Sequence, residues 1–356
     1  YPFGLAAIPL QKCVRIHSSS GTTGNPTVVL HSAKDLDQWA NQVARCMYMV
    51  GLRDTDVFQN TSGYGMFTGG LGFQYGAEKL GALTVPAAAG NTKRQIKFIT
   101  DFGTTCLHII PSYATRLAEV MYEEGIDPRK DTKLHTVCIG AEPHSEEQRK
   151  RIEQLLGVKA YNCFGMSEMN GPGVAFECTE QNGLHIWEDN VIVEIVDPVT
   201  LQPVPEGEVG ELVLTTINRE AMPLLRYRTR DLTCILPGDC PCGRTHKGRS
   251  DDMIILKGVN LFPIQIEKIL MQFKELGSNY LITLETIGNS DEMLIEVELS
   301  DLFTDDYSAL QRLTKGITRQ LKDELLLTPR IKLVAKGSLP TTDGKAVRVK
   351  DHRKLC

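Results

Sequence analysis

The chain of 356 residues carries 39 Lys and Arg against 44 Asp and Glu, a formal net charge of -5, with 42% hydrophobic and 23% charged residues. That length predicts two domains rather than one core, and the mildly acidic balance excludes the electrostatic footprint of a nucleic-acid binder. No apolar run approaches the roughly 20 residues that cross a bilayer, so neither a membrane nor nucleic acid is expected as a partner. The start, Tyr1-Pro2-Phe3, has no Met and no charged signal-peptide region, and reads as a fragment whose amino-terminal portion is missing. The 10 cysteines, mostly single and in apolar surroundings such as Cys106, Cys138 and Cys163, predict a reducing, cytoplasmic setting.

In chain order, strand-like runs at 27–31, 82–86, 106–110 and 136–139 alternate with amphipathic helical stretches at 35–50, 94–101, 112–124 and 145–156. That rhythm predicts an α/β sheet covered by helices. From residue 191 the texture turns β-rich, with runs at 191–196 and 210–215 separated by turns such as Pro203-Val204-Pro205-Glu206-Gly207, and crossover helices disappear. After Gly248-Arg249-Ser250-Asp251, helices at 263–273 and 307–326 and strands at 279–286, 293–299 and 331–334 predict a small α+β domain.

Four stretches carry chemistry. Ser18-Ser19-Ser20-Gly21-Thr22-Thr23-Gly24-Asn25-Pro26-Thr27 offers hydroxyls and glycines that can wrap phosphate oxygens, although a flexible surface loop has the same composition. It lacks the Gly-Lys-Ser/Thr of a Walker A loop, and the strand here follows the loop, against the dinucleotide pattern. Tyr161-Asn162-Cys163-Phe164-Gly165-Met166-Ser167-Glu168 sets rings to stack on a base beside a carboxylate for Mg²⁺, or else ends a strand in an ordinary turn. Arg226-Tyr227-Arg228-Thr229-Arg230-Asp231 ends in a carboxylate suited to two ribose hydroxyls, with a solvated charged turn as the other reading. Pro340-Thr341-Thr342-Asp343-Gly344-Lys345 presents one lysine on a turn.

In this order, with Gly140-Ala141-Glu142-Pro143 and Gly248-Arg249-Ser250-Asp251 between them, these stretches resemble the core motifs of the adenylate-forming enzymes, which include acyl-CoA synthetases, adenylation domains and luciferases. Tyr64-Gly65-Met66-Phe67-Thr68-Gly69-Gly70-Leu71-Gly72, Tyr75-Gly76-Ala77-Glu78-Lys79-Leu80-Gly81 and Gly248-Arg249-Ser250-Asp251-Asp252-Met253 resemble the phenylacetate-CoA ligase family within that superfamily. The resemblance implies a large multi-sheet α/β domain with a β-rich subdomain, over 1–250, a small mobile α+β domain over 252–356, and a hinge at Asp251. It implies ATP-dependent ligation of phenylacetate to coenzyme A through an acyl-adenylate, by a homodimer. Other readings are another aryl acid such as indoleacetate, an acceptor other than CoA, or a non-catalytic nucleotide-binding module.

Carried over by position, residues 18–27 would cover the ATP β- and γ-phosphates, and Gly140, Ala141, Glu142 and Pro143 would wall the adenine and acyl pockets. Phe164 would stack near adenine, within the nucleotide-binding stretch from Tyr161 to Ser167. Glu168 would hold Mg²⁺, Asp231 the ribose, and Arg249 the nucleotide phosphate or ribose. Lys345 would join carboxylate and α-phosphate in the first half-reaction and then leave. Thr27, Arg230 and Phe164 stand where many superfamily members carry lysine, glycine and tyrosine. Tyr64, Gly65, Met66 and Phe67, with Ala141, suggest a flat apolar slot for an aryl ring, or plain core.

A last group lies outside this chemistry. Cys240-Pro241-Cys242-Gly243-Arg244, with Cys178 and His185, offers a Cys₃His set for structural zinc, with His246 and Cys234 as alternative ligands.

Overall fold

In the computed structural model, which describes residues 1–19, 26–142, 144–244, 247–251, 254–256, 259–261, 263–287, 290–300, 307–325, 328–340 and 348–352, Cys13–Ser18 (β1) and Val28–Ser32 (β2) pair antiparallel. The hydroxyl-rich stretch thus joins two strands of a hairpin. A strand precedes it as well as follows it, and the dinucleotide pattern fails because its second partner is a strand and not a helix. Ser32 ends β2 and caps α1 (Ala33–Met49). Its Oγ accepts the Asp35 N–H at 3.1 Å while Asp35 Oδ2 accepts the Ser32 N–H at 2.8 Å, the reciprocal box that Ser-x-x-Asp permits.

The chain continues through β3 (Val57–Asn60), α2 (Thr68–Leu80), β4 (Leu83–Val85), α3 (Thr92–Asp101), β5 (Cys106–Ile109), α4 (Pro111–Glu123), α5 (Pro128–Asp131), β6 (Thr136–Gly140), α6 (Glu146–Leu156) and β7 (Lys159–Phe164). Strands β4, β3, β5, β6 and β7 lie side by side in parallel. All four residues of β5 and all five of β6 are buried, as strands covered on both faces require. Antiparallel β8 (Ala175–Glu177) and β9 (Leu184–Ile186) follow, then β10 (Val191–Val196), β11 (Gly210–Thr216), β12 (Tyr227–Leu236) and β13 (Lys247–Asp251). These extend the same sheet as β10-β11-β12-β13-β9-β8-β7, giving 11 strands among the described residues, so the β-rich region is hydrogen-bonded onto the α/β sheet.

Several elements escape the sequence pattern, among them β1, β3, β8 and β9, and two more do so for a clear physical reason. The glycine run at 69–72 carries no helical pattern in the sequence, yet it forms the first turns of α2, which lies too close to its neighbours for side chains there. A Cβ on Gly72 would sit 2.5 Å from both Trp39 and Pro172, and one on Gly76 2.4 Å from Val43 of α1. The basic run at 226–231 reads as a turn, yet Tyr227 to Asp231 form the first half of β12, where Glu211 of β11 neutralises Arg228.

The chain divides into two units: one of Tyr1–Ile110, Leu117–Ala141 and Leu155–Ser250, the other of Pro111–Arg116, Glu142–Gln154 and the described part of Asp251–Cys356. The second contains the hairpin of β14 (Ile254–Leu256) and β15 (Val259–Leu261), then α7 (Pro263–Leu270), β16 (Leu276–Ile287), β17 (Ser290–Leu299), α8 (Tyr307–Leu325), β18 (Arg330–Val334) and β19 (Val349–Asp351). Its sheet runs β18-β17-β16-β19, and Ile266, Ile269, Ile282, Ile295 and Ile317 are all fully buried in its core. Among the described residues no helix is long and apolar enough to cross a membrane.

The α1–α2 contact sets a sign that helix propensity alone would reverse. Replacing Gly by Ala inside a helix ordinarily gains up to about 1 kcal/mol, but overpacking costs about 1–3 kcal/mol. Gly76→Ala is therefore expected to lower the urea midpoint of unfolding, since the new methyl would meet Val43.

Candidate active site

The described ends of the hydroxyl-rich stretch are pinned to each other. Ser19 N–H donates to Thr27 O at 3.0 Å and Thr27 N–H to Ser19 Oγ at 2.9 Å, so the chain leaves and re-enters at one point. Ser18 sits at the end of β1, and Ser20, Gly21, Thr22, Thr23 and Gly24 lie outside the described residues. The Met66 carbonyl accepts both the Ser18 N–H, at 3.1 Å, and His17 Nδ1–H, at 3.0 Å. One acceptor therefore joins the end of β1 to the segment expected to receive the acid.

In that segment Met66 and Phe67 are 49% and 58% exposed, an apolar surface rather than a closed slot. Gly65 is exposed and Tyr64 half-buried. The Tyr64 hydroxyl accepts from Asn60 Nδ2 at 3.2 Å, and burial pushes its phenol up to about 12. Asn60 Oδ1 accepts from His108 Nδ1 at 3.1 Å, and the His108 ring stacks on Phe73 at 3.8 Å between centroids. Sequence reasoning passed over Asn60 and His108, because nothing in the residues next to either marks it as functional.

Glu168 lies in a short 3-10 turn, Ser167–Met169, after β7 and is 9% exposed. Arg219, buried and likewise overlooked, donates from Nη1 to the Glu168 backbone carbonyl. Burial pushes the Arg219 guanidinium down to about 10, while the carboxylates of Asp35 and Glu168 oppose that shift. The nearby Tyr227 phenol is raised by burial first, then by the charges of Glu168 and Asp231. The charges of both carboxylates named from sequence are thus felt by the same phenol. Asp231 lies in β12, and Arg230 before it adopts φ +68°, the left-handed region that favours glycine. That backbone suits the glycine that the family resemblance leads one to expect there; here the Arg230 N–H reaches Glu211 Oε1 at 3.3 Å.

At the end of β6, a Cβ on Gly140 would sit 2.3 Å from the Cys163 carbonyl, so only glycine lets β6 and β7 pair here. Ala141 follows in a left-handed conformation, φ +65°, and is exposed. The buried Glu142 carboxylate accepts Ser112 N–H at 3.1 Å and Ser112 Oγ–H at 2.9 Å, which commits it to the start of α4. Tyr161 is 6% exposed within the main core, while Asn162 N–H donates to Glu177 at 2.7 Å. Phe164 and Met166 are half-buried against Val29, Met169 and Val174. Gly165 packs where a Cβ would stand 2.7 Å from Pro172 Cα.

The expected metal ligands meet. Cys178, at the end of β8, His185, in β9, and Cys240 and Cys242, in the turn after β12, place their ligating atoms within 4.8 Å of one another. Cys234 is not in this group. His246, Pro143 and Lys345 lie outside the described residues, and of the side chains of Arg249 and Asp251, in β13, nothing is described.

Residues 9–218 match the family described as AMP-binding enzyme, and residues 258–353 the AMP-binding enzyme C-terminal domain. The chain is similar to the phenylacetate-coenzyme A ligase of Pseudomonas putida, 45% identical over 99% of this chain and 81% of that protein. It is similar to the phenylacetate-coenzyme A ligase of Thermus thermophilus, 43% identical over 99% of this chain and 84% of that one. Among solved structures, a 2-hydroxyisobutyryl-CoA ligase in the postadenylation state, in complex with 2-HIB-AMP, superposes with a TM-score of 0.89 at 29% identity, over 97% of this chain and 74% of that one.

Behind β1 and β2, His17 and His31 pack around Trp39, with His31 stacked on the indole at 5.6 Å. Burial pushes His31 down to about 3, helped by the charge of Arg219, and burial alone takes His108 to about 3. The folded state thus binds these protons more weakly than the unfolded chain. Their contribution is whole above about pH 6.5 and is lost as pH falls toward 3, each by about 1.4 kcal/mol per pH unit. His31→Phe is expected to remove one such increment from the slope of unfolding free energy between pH 6.5 and 5, measured by urea denaturation.

Proposed function

Since this chain belongs to the adenylate-forming AMP-binding enzymes, in the family of the phenylacetate-coenzyme A ligases, we propose that the acid it joins to coenzyme A is phenylacetate. In the ligation, the acid's carboxylate attacks the ATP α-phosphate in line, forming the acyl-adenylate and releasing pyrophosphate. The thiolate of coenzyme A then attacks the acyl carbonyl and AMP departs. Such chemistry asks mainly for positioning and for neutralisation of growing negative charge.

The observation that carries this reading is the Met66 carbonyl, which ties the strand entering the hydroxyl-rich stretch to the segment 64–67. A triphosphate over residues 18–24 and an acid beside Tyr64, Phe67 and Ala141 would then be neighbours. Met66 and Phe67 supply apolar exposed surface for an aryl ring. We assign to Glu168, in a turn that Arg219 holds by its backbone carbonyl, the role of holding a Mg²⁺ that would neutralise phosphate charge. Asp231 is assigned to the ribose hydroxyls, Phe164 to the adenine face, Gly140, Ala141, Glu142 and Pro143 to the pocket wall, and Arg249 to the nucleotide. Lys345 is assigned the mobile cation that meets both carboxylate and α-phosphate, with Asp251 as the hinge between an ATP- and acyl-binding part, 1–250, and a carboxyl-terminal part, 252–356. The proposal includes a cytoplasmic homodimer, as the family resemblance implies, and no nucleic-acid or membrane partner. The three clustered thiols and His185 take no part in this chemistry.

A panel of aryl and aliphatic acids assayed for ATP- and CoA-dependent AMP release checks the acid. Phenylacetate is expected to give the highest kcat/KM; indoleacetate or hydroxyphenylacetate leading would reassign it. Pyrophosphate exchange driven by phenylacetate, with no thioester when coenzyme A is added, would instead point to another acceptor. Lys345→Ala is expected to cut adenylate formation by about 100-fold or more while leaving ATP binding nearly intact. Unchanged adenylation in that variant would remove Lys345 from the mechanism.

A further inference from the structure

Two chain segments well separated in sequence, the β8–β9 hairpin and the turn after β12, deliver three thiols and an imidazole to one point. Cys178 follows β8, and Cys178 O accepts Gln181 N–H at 3.1 Å in the turn that leads into β9. His185 lies in β9, across the hairpin from Phe176. Cys240 and Cys242 stand in a tight turn closed by Gly243 N–H on Cys240 O at 2.8 Å, with Gly243 at φ +77°. That backbone suits glycine, and it aims both thiols of the Cys-Pro-Cys to one side.

The spacings are those of ligands around a metal. Cys178 Sγ and Cys240 Sγ are 3.7 Å apart, and Cys242 Sγ and His185 Nε2 are 3.4 Å apart. A tetrahedral zinc with sulfur at about 2.3 Å and nitrogen at about 2.0 Å sets ligand edges of about 3.5–3.8 Å. A disulfide needs sulfurs at about 2.05 Å, and these cysteines are free. Cys178, His185 and Cys240 are each at most 3% exposed. Buried together without a cation, several thiols and an imidazole would gain little; thiolates select zinc over the hard cations that prefer oxygen.

We propose that Cys178, His185, Cys240 and Cys242 bind one structural zinc ion that clasps the β8–β9 hairpin to the turn between β12 and β13. Four protein ligands leave no open position, so the ion stabilises structure and activates no water. The consequence lies in β13. Lys247 pairs with the ligand His185 itself, and Gly248 with Leu184, so β13 leans on a strand that the metal anchors. Through that pairing the ion governs the order of the strand bearing Arg249 and Asp251. This inference is independent of which acid is activated.

Two measurements on the full chain test it. Elemental analysis of protein purified without chelator is expected to give about one zinc per chain, and zinc-edge X-ray absorption a shell of three sulfurs and one nitrogen. Zinc below a tenth of an equivalent, an oxygen-rich shell, or a Cys178–Cys240 disulfide found by mass spectrometry would each overturn the site. Cys240→Ser with Cys242→Ser is expected to lose the metal, whereas Cys234→Ser retains it; the absorption measurement on unmodified protein stands if the double variant fails to fold. Stripping zinc with a chelator is expected to speed hydrogen exchange of the β13 amides at least tenfold. Unchanged exchange there, with the metal demonstrably gone, would refute the clasp.

Discussion

The carboxylate of Asp35 is the junction on which the candidate site depends. Fully buried, it accepts the Ser32 N–H that begins α1 and also the Glu220 and Ala221 N–H groups, at 2.8 and 3.0 Å. Its charge is placed beside Arg219, whose guanidinium reaches the Glu168 carbonyl. A buried carboxylate without donors is costly by several kcal/mol, so the strand–helix corner and the 219–221 segment hold each other in place. The end of the β1–β2 hairpin, the 219–221 segment and the turn carrying Glu168 are thus joined through Asp35 and Arg219.

Legibility in the sequence followed how local each signal is. Strands β5, β6 and β10 and helices α1, α3, α4, α6 and α8 stood out because hydrophobic period is a local property. Helix α2 was hidden because its glycines serve a neighbour. Gly72 and Gly76 make room for Trp39 and Val43, and nothing in the run itself records that contact. The first half of β12 was hidden for the complementary reason: Arg228 looks solvated until Glu211 is known to lie across from it.

The site divides in the same way. Glu168 and Asp231 were readable as carboxylates in distinctive settings, and the charges of both raise the Tyr227 phenol. Cys178, His185, Cys240 and Cys242 were readable from side-chain chemistry despite a separation of 62 positions between Cys178 and Cys240. Arg219, Asn60 and His108 were not, since a lone arginine or a strand histidine gains meaning only from what the fold packs against it. Glu142 shows the reverse: a residue placed in a pocket wall by resemblance has its carboxylate occupied by the start of α4.

The Met66 carbonyl has a thermodynamic consequence. With His17 and Ser18 both donating to one oxygen, the strand entering the hydroxyl-rich stretch and the segment 64–67 cannot shift separately without breaking a hydrogen bond. If these two segments receive ATP and the acid as proposed, any displacement that one ligand imposes on this joint alters the affinity for the other, and linkage requires the two effects to be equal in size. Acid and ATP would therefore bind with a reciprocal coupling that a single backbone oxygen transmits, whatever the order in which they arrive.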